Sequence, residues 1–193
     1  MKILAGLISL WLVGAGAEAA QTPAQAPPPS PGQSVVAPGL SMVVARGPPL
    51  MLSLEAAQTA IDTCKALGAN VAVSVVDSAG ILKLMLASDG TFAKGVTTST
   101  AKAITAKDLN MPISELAHKI KTDSVLADKI KSNPNYVVGQ GGLPLRVGNE
   151  VIGAIGVGGA IGSRALDEAY PVVPSRDEIC AHAGLDKIRA QLK

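Results

Sequence analysis

The alternation of apolar and polar positions divides the chain into helical and extended stretches. In "LSLEAAQTAIDTCKALG" (52–68), Leu54, Ala57, Ile61, Cys64 and Ala66–Leu67 fall on one helical stripe. Ser53 is the candidate N-cap, Glu55 suits the first turn, and Gly68 suits the position after the last turn. "NVAVSVVD" (70–77) is β-branched and almost continuously apolar, which predicts a buried strand. "DSAG" (77–80) is a turn, and "ILKLMLA" (81–87) returns as the second strand of a hairpin. Residues 93–108 read as a helix of small side chains that ends before Pro112, and 114–132 read as a further helix running to Pro134. A second hairpin, 143–147 and 150–157, turns at Gly148–Asn149, and a last helix spans 175–191 from the N-cap candidate Ser175. Helix, hairpin, two helices, hairpin, helix is an α+β order with antiparallel pairing, not alternating βαβ.

The segments before this domain have a different character. Lys2, the apolar run Ile3–Ala17 and the small-residue site Ala17-Glu18-Ala19 read as a cleaved signal peptide, residues 1–19. The apolar run is shorter than the roughly 20 residues that span a bilayer, so no membrane span is expected after cleavage. Residues 20–39 are rich in Pro, Gln and Ala and read as a disordered spacer, with the folded domain at 40–193. These features predict export, to a periplasm or beyond. The net charge of +2 argues against nucleic acid as partner, and with 2% aromatic residues there is almost nothing on which a base could stack.

The stretch "GGLPLRVGNEVIGAIGVGGAIG" (141–162) invites a nucleotide-binding reading. Gly156 and Gly158 supply two positions of G-x-G-x-x-G, but the third is Ile161, Gly162 comes one residue late, and no helix follows directly. A Gly-Lys-Ser/Thr sequence is missing too. The reading that remains is a glycine-bearing strand that admits another backbone or a flat ligand, which makes Gly156 and Gly158 candidate cofactor contacts.

"LSLEAAQTAI", "VAVSVVDSAGILKLM", "SDG", "TSTAKAITA", the glycine stretch and "DEICAHAGL" occur in that order. Together they resemble the GlcG/HbpS-type heme-binding family, also found as the C-terminal domain of some corrinoid adenosyltransferases. The resemblance covers roughly residues 50–190. It implies a profilin-like α+β domain, a five-stranded antiparallel sheet with packed helices, assembly into homo-oligomers, and heme as the cofactor. The chain departs from the family pattern in an insert at 163–176 containing Pro171 and Pro174, and in the absence of an arginine at Ala87–Ser88.

Heme iron takes His, Met, Cys or Tyr. His118, in "SELAHKI", is the favoured iron ligand and cofactor contact, because Ser114 and Glu115 one turn earlier leave it near a loop. His182, Tyr136 and Met111 are further candidates, and the family has no single ligand type that would choose among them. Glu115, His118, Lys119 and Asp123 share helical spacing, but a single Glu-x-x-His lacks the other helices' carboxylates that a metal site needs. Asp77 and Asp89 fit turn chemistry better than an acid/base pair, and Ser74, Thr98 and Ser99 show no triad. Cys64 and Cys180 lie on the first and last helices, which in the resembled fold can pack side by side. They are either a disulfide or two buried small hydrophobes.

The functional expectation is an exported, homo-oligomeric module binding heme or a similar flat cofactor, in heme or iron sensing or storage. An enzyme acting on a small organic acid or on heme, and a structural or interaction domain, are the alternatives.

Overall fold

A computed structural model describes residues 45–160 and 174–193. The signal segment 1–19, the spacer 20–39 and most of the 163–176 insert lie outside the described residues.

The chain folds as α1 (Leu50–Ala66), β1 (Ala72–Asp77), β2 (Leu82–Ala87), α2 (Ala93–Leu109), α3 (Ile113–Lys119), α4 (Ser124–Ser132), β3 (Gly142–Val147), β4 (Glu150–Gly158) and α5 (Arg176–Ile188), with a 3-10 turn at Arg189–Gln191. The strands form one antiparallel sheet in the order β2-β1-β4-β3. Among the described residues the sheet has four strands, not the five implied by the family resemblance, because each of the two hairpins contributes two and no further described segment is a strand. β1 is central and buried on both faces, as its nearly continuous apolar run requires. Pro144 sits inside β3, which tolerates it as an edge strand.

Helices cover both faces. On one, α1 and α5 bury Ala57, Ala60, Cys64, Cys180, Ala181 and Leu185 against Val73, Val75, Ile155 and Val157. On the other, Ala103 and Ala106 of α2, with Ile113 and Leu116 of α3, pack on Val76 and Ala154. Cys64 and Cys180 are fully buried and joined by a disulfide across α1 and α5, with their Cα atoms 5.6 Å apart.

Two helix boundaries differ from expectation. α1 begins one turn earlier, with Pro49 as N-cap, so Ser53 lies inside the helix, its hydroxyl donating to the Pro49 carbonyl at 3.1 Å. The Pro48–Pro49 pair blocks extension further upstream, but proline's fixed φ suits a helix start. The helix expected over 114–132 is two, because Asp123 turns its carboxylate onto the Leu126 N–H at 2.9 Å and caps a new helix.

The close approach that Gly156 and Gly158 permit is made by α2 of the same chain. A Cβ on Gly156 would lie 2.1 Å from the Ser99 carbonyl oxygen and 2.6 Å from the Ala103 nitrogen; one on Gly158 would lie 2.7 Å from the Gly95 carbonyl oxygen. The space beside both glycines, expected to admit a cofactor or another backbone, is therefore taken by a helix of the same chain.

Candidate functional site

The site grows from the N-terminus of α5. Ser175 caps it, accepting from the Glu178 N–H at 3.2 Å. In a complete capping box Glu178 would reach back to the Ser175 N–H. Here the buried Gln140 carboxamide takes that N–H, and the Glu178 side chain turns inward. It accepts from Ser114 Oγ at 2.7 Å and from the Gly141 N–H at 2.5 Å, tying α5 to α3 and to the entry of β3. Its neighbour Asp177 accepts from Lys102 Nζ at 2.7 Å and from the Ala160 N–H at 3.1 Å, while Lys102 also donates to the Val157 carbonyl at 2.8 Å. All three charged side chains are at least nine-tenths buried, so this network pins α2, the end of β4 and α5 together.

One turn along α5, His182 Nε2 stands 3.8 Å from Glu178 Oε1. Across from it is α3, with Ser114, Glu115 and His118. Between them lies a cleft of about 390 Å³ lined by Ser114, Glu115, His118, Gln140, Glu178 and His182. The two histidines of the chain, 64 positions apart in sequence (182 − 118), thus line one cleft. His182 also borders a second groove of about 380 Å³ between β3 and α5, whose other walls include Leu143, Pro144, Leu185, Arg146 and Arg189.

Tyr136, Met111, Asp77 and Ser74 stand apart from this cleft. Tyr136 donates its hydroxyl to Asp108 Oδ2 at 3.0 Å and packs with Met111 on the α2–α3 core. Burial, reinforced by the Asp108 carboxylate, raises the Tyr136 pKa above its ordinary 10.0. Asp77 accepts from the Ala79 and Ile81 N–H groups at 3.0 and 2.9 Å, the turn chemistry expected of it. Ser74 shares hydrogen bonds with Ser99 and Thr100, a hydroxyl cluster sealing β1 to α2. Glu115 pairs with Lys119 at 2.8 Å, and among the described residues no group of three or more His, Cys, Asp or Glu could hold a metal ion.

The pattern alone did not single out Lys102, Asp177 and Glu178. A signal was present for Lys102, a lone charge on the small-residue stripe Ser99–Ala103–Ala106 of α2, which demands a buried partner. The Ser175-x-x-Glu178 box was equally visible, but its carboxylate's actual partners are remote in sequence.

An antiparallel sheet clothed by helices on both faces, with two imidazoles at one edge cleft, defines a small α+β domain. The family described as "Haem degrading protein HbpS-like" matches residues 50–172, and the chain belongs to that family. HbpS of Streptomyces reticuli, solved as a double mutant, is 28% identical with a TM-score of 0.63, over 82% of this chain and 97% of that one. Protein ORFY of Klebsiella pneumoniae is 23% identical with a TM-score of 0.64, over 81% and 99%. A PduOC:heme complex is 17% identical with a TM-score of 0.62, over 74% and 95%. The last two are likenesses of fold. Among curated proteins nothing matches this chain.

Proposed function

We propose that this chain binds heme, or a similar flat cofactor, at the edge formed by α3, α5 and β3, with a histidine on the iron. The observation that carries the reading is the convergence of His118 and His182 on one cleft. Membership of the HbpS-like family and the PduOC:heme complex support it. The donor set fits: imidazole is a common axial ligand of heme iron. The residues lining the α3–α5 cleft are mostly polar, and aliphatic side chains line the other side of His182, in the β3–α5 groove. Bound there, heme supplies redox and ligand-binding chemistry; the chain's part is to hold it and to limit its exposure.

Export to a periplasm or the outside, with a role in heme or iron sensing or storage, completes the proposal. A buried disulfide suits an oxidising compartment, and among the described residues no helix is long and apolar enough to cross a membrane. Self-association is proposed as well. β2 lies at a sheet edge, and Ile81, Leu82, Met85 and Phe92 are exposed large apolar side chains on or near it.

Titrating purified protein with hemin tests the central reading: a shifted Soret band saturating at a fixed stoichiometry is expected, and a spectrum identical to free hemin overturns it. Light scattering on the same sample reads the assembly. Turnover of bound heme is a second reading, favoured by the family's description. Decay of the Soret band under air and reductant, beyond that of free hemin, would support it.

A further inference from the structure

We propose that the groove between β3 and α5 is the carboxylate-binding half of the heme site, with Arg146 and Arg189 holding the two propionates; this deepens the heme reading and rests on it. Charge separates the two depressions that share His182. The α3–α5 cleft is lined by the carboxylates of Glu115 and the buried Glu178 and, among the described residues, by no arginine or lysine. The β3–α5 groove has the aliphatic surfaces of Pro112, Leu143, Pro144 and Leu185, with Arg146 and Arg189 among its lining residues. An apolar plate carrying two carboxylates matches that combination, because a guanidinium presents a planar fork to each carboxylate.

Both arginines are available at low cost. Arg146 donates to the Asn110 carbonyl at 2.8 Å, a neutral partner, and among the described residues it makes no ion pair. Arg189 pairs with Asp186 at 2.8 Å, but each side chain of that pair is 61% exposed, and exposed pairs of this kind contribute little. Exchanging the Asn110 carbonyl for a propionate gains Arg146 a charge-assisted bond, and at Arg189 a propionate takes the place of an exposed carboxylate. His182, at the boundary between the two depressions, is then the imidazole that faces a plate lying in the groove, with His118 on the acidic side beyond it.

The test compares hemin with hemin dimethyl ester, whose propionates are uncharged, in optical titrations of the whole protein. Wild type should bind hemin at least roughly tenfold more tightly than the ester, the scale of one charge-assisted hydrogen bond. An Arg146→Gln/Arg189→Gln variant should bind both equally. Fluorescence titration with iron-free protoporphyrin IX and its dimethyl ester should give the same preference without any iron ligand. Arg189→Gln alone, which disturbs only an exposed pair, should reduce the preference even if the double variant folds poorly. Tight hemin binding with no preference over the ester overturns the groove assignment and leaves the heme reading standing. Failure of both porphyrins to bind overturns the two together.

Discussion

Breaking the Cys64–Cys180 linkage should be among the most costly single changes to this domain. The two cysteines are separated by 116 positions, so the bond closes a long loop in the unfolded chain. For a loop of that length the chain-entropy relation gives roughly 16 cal/mol/K, or about 5 kcal/mol at 25 °C. For a domain near 150 residues, each kcal/mol moves Tm by about 2–4 °C, so a loss of ~10–20 °C is expected. Both cysteines are fully buried, which makes alanine the appropriate replacement. Cys64→Ala, Cys180→Ala and the double variant should be compared by calorimetry and urea denaturation. If the linkage is the whole effect, the three should be destabilised alike, because removing the second thiol costs little once the first has gone. Two titratable thiols in wild-type protein denatured without reductant would refute the reasoning, as would a double variant within 1 kcal/mol of wild type.

Other consequences follow from the packing. Gly156→Ala sets a methyl against backbone atoms of α2 at 2.1 and 2.6 Å and should cost at least about 1–3 kcal/mol in urea denaturation. Gly148→Ala meets nothing within 4 Å and should cost only the strain of its left-handed φ of +59°, about 1–2 kcal/mol. Lys102→Met leaves Asp177 buried without its cation and should cost about 3–5 kcal/mol, part of which Lys102→Met/Asp177→Leu should recover. Tyr136 should ionise above pH 10.0 when followed by ultraviolet absorbance in a Tyr170→Phe background. Because the folded state holds that proton more tightly, the stabilisation from Tyr136 is complete below its unfolded pKa and is lost as pH rises through the folded value. Tyr136→Phe should abolish that part of the alkaline loss.

Most of the fold was legible because its elements carry strong periodicity. The continuous apolar run of 70–77 is the central strand, the Gly148–Asn149 turn joins β3 to β4, and Ser175 caps α5 as expected. Three features were not legible. The break at Asp123 depends on one side chain choosing a cap over a helix interior, a local competition that apolar periodicity does not register. Gly156 and Gly158 announced a close approach, but which backbone approaches is decided by where α2 docks. The strand count followed the family resemblance, whereas the two hairpins seen in the pattern account for the four strands among the described residues.

The site was half legible. His118 and His182 stood out as the chain's two histidines, each on a helix, but nothing local says that α3 and α5 set them on one cleft. That meeting depends on the Glu178 carboxylate reaching Ser114 and Gly141, and on Lys102 holding Asp177, contacts that span from 37 to 75 positions. Helical spacing predicts which side chains share a helix face; it does not predict which faces meet.

The most direct test of the central claim is a hemin titration of the His118→Ala/His182→Ala variant alongside wild type, with folding checked by circular dichroism. The account predicts that wild type saturates with a shifted Soret band and that the folded double variant loses this histidine-dependent shift. A folded double variant that saturates with the wild-type spectrum and stoichiometry would contradict it.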